Sequence, residues 1–198
     1  MNTDSNLIVT EDELINGCIN KDRKMQEMLY QRFSSRMYAV CLRYCKDAEE
    51  ARDLLQDGFV KIFKNLKKFR GDGSFEGWIR RIFVNTAIEH FRKSLKRFCV
   101  AEPQEILIED SAWNALDHLE AKDIIKMIQE LSPGYRQVFN MYVIEGYSHK
   151  DIGDILGISE GTSKSQLARA KGILKRSSKK ILNTNQPGLK RIDIINFQ

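Results

Sequence analysis

Residues 148–166 read SHKDIGDILGISEGTSKSQ, and this segment decides the fold of the C-terminal half of the chain. Ser148 and Asp151 have the spacing of a capping box, which predicts that a helix begins there. Gly157 is predicted to end it, since glycine readily adopts the positive φ of a turn. Ser159 then caps a second helix. The spacing therefore predicts two short helices joined by a tight turn.

Two further residues indicate how these helices pack. Gly153 lies midway along the first helix, where a larger side chain would push the helices apart, and Ile158 is predicted to fill the space beneath the turn. Together with the caps, this pattern is typical of a helix-turn-helix. An ordinary helical hairpin is the alternative, and the basic run that follows favours DNA binding over it.

In a helix-turn-helix the N-terminal part of the second helix enters the major groove. Gln166 can pair with adenine, and Lys164 can reach guanine or a phosphate. The alternative for Gln166 is that its side chain packs between helices. The residues predicted to bind this DNA are Glu160, Gly161, Thr162, Lys164, Ser165, Gln166, Arg169, Lys175 and Arg176.

The composition is that of an all-α protein of one or two domains. The chain has 198 residues, a formal net charge of +5, 30% charged residues and only 3 prolines. Basic residues dominate 61–97 and 160–180, whereas 100–123 is acidic. This distribution predicts two surfaces that bind polyanions, separated by a segment of another kind. Solvated helix faces are the alternative.

The N-terminal half carries apolar residues at helical spacing through residues 29–66. Asp47 and Glu50 resemble a capping box, the Gly71–Ser74 stretch predicts a loop, and Ser74 is predicted to cap the next helix. Beyond the acidic stretch, which we expect to be partly helical over 113–127, Ser132 is predicted to cap a helix that buries Tyr142.

Several segments resemble the extracytoplasmic-function (ECF) sigma factors of the sigma-70 family. Residues 53–63, DLLQDGFVKIF, resemble the helix with which these proteins bind the clamp of RNA polymerase. Residues 69–93, FRGDGSFEGWIRRIFVNTAIEHFRK, resemble their promoter-melting and downstream-element segment. Residues 131–139, LSPGYRQVF, and 157–165, GISEGTSKS, resemble the start and the recognition segment of their second domain.

The resemblance implies two small helical domains joined by a linker, the second being the helix-turn-helix domain. Its implied divisions are an N-terminal segment (1–24), sigma domain 2 (25–97), an acidic linker (98–127), sigma domain 4 (128–182) and a C-terminal tail (183–198). In relatives the linker threads toward the active-site cleft of the polymerase, although a plain tether is the alternative.

For the first domain the resemblance implies contact with polymerase and with promoter DNA, both as duplex and as melted single strand. The residues implied to bind core polymerase are Asp53, Gln56, Asp57, Phe59 and Lys61, for which a solvated helix face is the alternative reading. The residues implied to bind and melt the downstream element are Arg70, Asp72, Ser74, Phe75, Trp78, Arg80, Arg81, Asn85, Arg92 and Lys93.

Opening DNA requires cations for the backbone and aromatic rings or pockets for exposed bases. Phe75 and Trp78 are candidates for stacking, with burial as the alternative for each. The Gly71–Ser74 loop is a candidate pocket for a flipped base. Asn85 either reads nearby DNA or braces its helix.

The sequence departs from the ECF pattern at three positions. Glu89 replaces the usual aspartate, and Ser163 and Gln166 stand where valine and arginine are common. The run 162–166, TSKSQ, resembles the Bacteroidetes branch of the family.

Other classes of protein fit less well. A sequence with three histidines and no HExxH, GxSxG or P-loop pattern is not expected to be an enzyme or to need a cofactor. Cys41 and Cys45 are predicted to be core residues rather than metal ligands. With no visible signal peptide or membrane span, a cytoplasmic location is expected. The alternative function is a self-sufficient helix-turn-helix regulator. An anti-sigma factor is the further partner that the resemblance implies.

Overall fold

The computed structural model describes residues 9–98 and 119–183, and every regular element in these ranges is helical. We call residues 9–98 the first unit and residues 119–183 the second unit. The α-helices are α1 (Glu11–Ile19), α2 (Arg23–Tyr44), α3 (Ala48–Asn65), α4 (Phe75–Phe98), α5 (Leu119–Gln129), α6 (Pro133–Phe139), α7 (His149–Leu156) and α8 (Glu160–Asn183). A 3₁₀ turn spans Leu66–Lys68, and a π turn spans Asn140–Ile144. The predicted all-α class is confirmed.

The predicted caps have mixed outcomes. Ser148 and Asp151 form a complete capping box at the start of α7. Ser74 caps α4 by accepting from the Gly77 N–H at 3.1 Å. Asp47 caps α3, but the Glu50 carboxylate returns to the N–H of Lys46 rather than to that of Asp47.

Two local predictions were wrong. The Ser132 side chain makes no cap hydrogen bond, so α6 begins on Pro133 alone, whose fixed φ suits a first helical position. Tyr142 is 39% exposed rather than buried. The chain forms a π turn after α6, which shifts the side of the helix on which the following residues emerge.

The first unit is a helical bundle in which α2 packs against α1, α3 and α4. Phe33, Phe75 and Phe83 are among its fully or nearly fully buried rings. Helix α1 lies in the segment 1–24, for which no helix was predicted. It begins with a complete capping box between Thr10 and Glu13 and buries Leu14 and Cys18 against this bundle.

The second unit is built on α6, which packs against α8. Arg136 is only 5% exposed, and its guanidinium donates to the backbone carbonyls of Ile128 (3.3 Å), Gln129 and Leu131 (2.9 Å). The first two carbonyls lie in the last turn of α5, where a helix leaves acceptors without backbone partners, and the third lies just beyond it. Arg136 therefore caps α5 from α6, and burial lowers the pKa of its guanidinium.

The two units meet at the C-terminal end of α2. The side-chain amides of Gln129, Gln137 and Asn140 donate to the carbonyls of Leu42 (3.0 Å), Tyr44 (3.3 Å) and Arg43 (2.7 Å), in that order. We call these three side chains the amide cap. The last turn of a first-unit helix is thus completed by side chains of the second unit.

The remaining structural predictions concern cysteines and spans. Cys41 and Cys45 are buried as predicted, and burial raises the pKa of both thiols. Among residues 9–98 and 119–183, no group of three or more His, Cys, Asp or Glu side chains is placed to hold a metal ion. No described helix is both long and apolar enough to cross a membrane. Cys99, most of the acidic linker and the tail 184–198 lie outside the described residues.

Candidate nucleic-acid interface

The helix-turn-helix forms as the sequence predicts. Gly157 adopts φ 71°, and the N–H groups of Gly157 and Ile158 both donate to the carbonyl of Gly153, at 2.8 and 3.1 Å. Ser159 caps α8 by accepting from the Thr162 N–H at 3.0 Å. Together these bonds set the direction in which α8 leaves the turn.

Gly153 is the point of closest approach between α7 and the turn. A Cβ atom built on it would lie 2.8 Å from the carbonyl oxygen of Ile158, which is closer than side-chain carbons approach backbone oxygens. The predicted role of Gly153 at the helix crossing is therefore confirmed.

The first turns of α8 present a polar surface to solvent. Gly161, Thr162, Lys164 and Ser165 are exposed. Lys164 Nζ lies 2.6 Å from a carboxylate oxygen of Glu160, one helical turn away, and both side chains are more than half exposed. An exposed pair of this kind is worth about 0–1 kcal/mol, so Lys164 can readily exchange Glu160 for another anionic partner.

The remaining α8 candidates differ in environment. Gln166 is half-buried, and its amide lies over Gly134 at the start of α6, which favours the packing alternative. Arg169 is exposed and donates to the hydroxyl of Tyr135 at 3.3 Å. Lys175 and Arg176 are exposed further along the helix.

Between the exposed residues Thr162 and Lys164, the side chain of Ser163 points inward and is fully buried. Its hydroxyl lies 2.9 Å from Nδ1 of His149, the first residue of α7. The His149 ring stacks on Tyr142 with centroids 4.2 Å apart and planes 19° from parallel. Burial, followed by the charge of Lys164, lowers the pKa of His149. No local pattern in the sequence indicates this bond.

A second exposed basic face lies on α4. Arg81, Asn85, Arg92 and Lys93 are exposed. Residues 81, 85 and 92 fall on one side of the helix, because their spacings of four, seven and eleven residues are close to whole turns. These residues belong to the downstream-element set implied by the resemblance, and their contact with DNA stays a prediction.

Arg80 belongs to a different surface. Its Nε and Nη2 atoms donate to the two carboxylate oxygens of Glu145 in the second unit, at 3.1 and 2.9 Å. Arg43 lies 3.6 Å from the same carboxylate. The hydrogen bond to Glu145 raises the pKa of Arg80, whereas burial lowers that of Arg43. In this arrangement Arg80 joins the two units through Glu145.

The loop before α4 has exposed polar residues, and aromatic side chains lie beneath it. Arg70, Asp72 and Ser74 are exposed. Phe75 is fully buried, so the structure places it in the core rather than against a base. Trp78 is half-buried and stacks on Phe75 with planes 13° apart, which leaves it as the aromatic candidate at this loop.

The α3 residues implied to bind polymerase also divide by exposure. Asp53, Gln56 and Asp57 are exposed, whereas Phe59 is buried and packs in an edge-to-face contact with Phe83 of α4. Phe59 therefore supports the α3 surface from beneath and does not form part of it.

Two of these residues have partners on α4. Asp57 lies 2.9 Å from Nε2 of His90, and Lys61 Nζ lies 2.7 Å from a carboxylate oxygen of Glu89. Contacts with α4 therefore help to position the side chains of Asp57 and Lys61 on the exposed face of α3.

Comparison with known families agrees with both halves of this arrangement. The model for sigma-70 region 2 matches residues 29–97, and the model for sigma-70 region 4 matches residues 121–174. The two matches together cover more than half of the chain. The chain belongs to the sigma-70 family. Several of its curated relatives are ECF sigma factors.

Two curated relatives align along nearly the whole of this sigma factor. RNA polymerase sigma-H factor of Pseudomonas aeruginosa is 26% identical over 87% of this chain and 95% of its own length. ECF RNA polymerase sigma-E factor of Haemophilus influenzae is 24% identical over 84% of this chain and 94% of its own. Among solved structures, sigma factor RpoE in complex with the anti-sigma factor NepR from Bartonella quintana is 26% identical, with a TM-score of 0.44 over 80% of this chain and 98% of that chain.

Proposed function

We propose that this sigma factor directs core RNA polymerase to promoters by binding DNA through two separate helix faces. The observation that carries the proposal is that α8 of the helix-turn-helix and α4 of the first unit each expose basic residues, on a chain that matches both sigma-70 regions. Helix α8 would bind the upstream element, while α4 and the 70–74 loop would bind the downstream element and its melted strand.

In-vitro transcription with purified core polymerase on genomic promoter fragments tests this function. Start sites that appear only when the sigma factor is added support it. The alternative, a self-sufficient helix-turn-helix regulator, predicts tight binding to duplex promoter DNA without polymerase and no new start sites.

The domain divisions follow from this proposal. We propose residues 25–97 as sigma domain 2 and residues 128–182 as sigma domain 4; of the proposed linker 98–127, residues 119–127 lie in α5, which belongs to the second unit. The TSKSQ run at 162–166 supports a Bacteroidetes-like branch. Since a sigma factor acts at promoters, we also propose a location in the bacterial cytoplasm and no catalytic activity.

We propose that the exposed face of α3 binds core polymerase. Reversing two charges, with Asp57→Lys and Lys61→Glu together, is expected to lower the affinity for core polymerase by about tenfold, or roughly 1.4 kcal/mol. The fold should persist, since each exposed ion pair contributes only about 0–1 kcal/mol. Fluorescence anisotropy of labelled sigma factor titrated with core polymerase measures the affinity.

The matched control breaks the same two side-chain contacts from the side of α4. His90→Ala with Glu89→Ala removes the partners of Asp57 and Lys61 and leaves both α3 charges in place. This control should bind polymerase nearly as well as the unmodified chain. Full affinity in a folded charge-reversal variant would refute the assignment of α3.

Base reading by α8 is tested by comparing two lysines on the same helix. Lys164→Gln is expected to lose about 1–3 kcal/mol of discrimination at one base position, because Lys164 lies in the part of α8 that enters the groove. Lys175→Gln removes the same charge further along α8. It should therefore weaken binding to all promoters equally and reduce the salt dependence of that binding. A promoter-library selection with each holoenzyme measures both effects.

The same selection decides the role of Gln166. An upstream motif that Gln166→Ala leaves unchanged would support packing against α6, whereas a change at one position would support contact with adenine. If the Lys164→Gln and Lys175→Gln holoenzymes selected the same upstream motif, the proposal that Lys164 reads a base would be refuted.

We also propose that an anti-sigma factor binds this chain, as its resemblance to the ECF sigma factors implies. Affinity purification of the tagged protein from its native cells should recover a second protein besides polymerase. Recovery of polymerase alone under every growth condition tried would contradict this proposal.

A further inference from the structure

The buried hydroxyl of Ser163 is the feature of the helix-turn-helix that DNA contact does not account for. Ser163 is fully buried on α8, and its Oγ lies 2.9 Å from His149 Nδ1 on α7. A hydroxyl without a partner in such a place would cost free energy, so the bond to His149 matters to the position of α8. This bond joins the two helices of the motif.

His149 is held on its other side by an aromatic ring. Tyr142, from the π turn after α6, stacks on the imidazole with centroids 4.2 Å apart. The ring of His149 is thus fixed by a stacking contact and a hydrogen bond in different directions. We call the three residues Tyr142, His149 and Ser163 the clasp.

The clasp is connected directly to the proposed base-reading residues. Ser163 is flanked in sequence by Thr162 and Lys164, both exposed. A rotation of α8 that kept Ser163 buried would be limited by its bond to His149. The position of one buried hydroxyl therefore determines which way its two exposed neighbours face.

We propose that His149 is a positioning residue for promoter recognition, acting through Ser163 to set the angle at which Thr162 and Lys164 meet the upstream element. This inference rests on the proposed function of α8. His149 need not touch DNA in this role, and its contribution is to the selectivity of α8 rather than to its charge.

The test is a promoter-library selection with holoenzymes carrying His149→Ala, Ser163→Ala, both changes, or His149→Asn. Each single alanine variant is expected to lower discrimination at the upstream motif by about threefold or more, and the double variant by no more than either single one, since both remove the same bond. Asparagine places its amide near the position of Nδ1, so His149→Asn should restore much of the selectivity. Lys150→Ala, a change at the exposed neighbour of His149, is the control.

Three results would overturn the proposal: an unchanged motif in His149→Ala, additive losses in the double variant, or no recovery in His149→Asn. Thermal melting of each variant separates loss of fold from loss of selectivity. If His149→Ala does not fold, His149→Gln replaces it, because glutamine keeps the bulk but places its amide near Nε2 and away from Ser163. Failure of the unmodified holoenzyme to start transcription would instead refute the proposed function.

Discussion

Replacing Arg136 with methionine is expected to lower the free energy of unfolding by about 2–4 kcal/mol. Methionine fills a similar volume, and such a swap can be harmless when both members of a buried polar contact are replaced. Here the acceptors are backbone carbonyls of residues 128, 129 and 131, which no side-chain change removes. They would remain buried without their donor. Urea denaturation followed by circular dichroism measures the loss.

Arg169→Met is the matched control for Arg136. Arg169 is exposed and makes one long hydrogen bond, to the Tyr135 hydroxyl. Its loss should change stability by no more than about 0.5 kcal/mol, as for most surface substitutions. Equal effects of the two variants would show that the cap on α5 contributes nothing.

Adding a single methyl group at Gly153 is expected to destabilise the second unit by about 1–3 kcal/mol and to weaken upstream promoter binding. The methyl carbon of Gly153→Ala would lie 2.8 Å from the Ile158 carbonyl oxygen, so the backbone of the turn must move. The steric cost is expected to exceed the gain in helix propensity, which is about 1 kcal/mol when alanine replaces glycine in a helix interior. Thermal melting and promoter binding by the holoenzyme measure the two effects.

Gly172 offers the same substitution without the clash. The nearest atom to a Cβ at Gly172 is the end of the flexible Arg176 side chain, 3.9 Å away. Gly172→Ala should therefore stabilise α8 or leave it unchanged. A Gly153→Ala protein as stable as Gly172→Ala would show that the turn accommodates the methyl group at no cost.

The helices were predictable where local signals define them. The Ser148 box, the Ser159 cap and the positive φ of Gly157 involve neighbours within a few residues, so the helix-turn-helix could be read from the sequence. The box formed by Thr10 and Glu13 is a signal of the same kind and would have located α1. The π turn at 140–144 has no such signal, and the error at Tyr142 follows from it.

The candidate sites were less predictable, because helical spacing does not show which neighbour covers an exposed-looking face. Phe75 belongs to an apolar pattern, yet only the fold shows that Phe33 packs edge-to-face against it. Arg80 and Arg81 are adjacent arginines that the sequence alone does not distinguish, but the partner of Arg80, Glu145, is 65 residues away. From the sequence alone, Ser163 is a polar residue of a DNA-binding helix, and only its contact with α7 in the fold shows that it is buried.

The amide cap has a consequence for the cooperativity of unfolding. Helix ends normally fray independently of distant parts of a chain, but the last turn of α2 keeps its carbonyls paired only while the second unit is docked. Undocking and loosening of the α2 end are therefore a single thermodynamic event. Native-state hydrogen exchange should report it as one opening free energy shared by amides at the end of α2 and amides in α6. Whether the carbonyls at the end of α2 are hydrogen-bonded thus indicates whether the two units are docked.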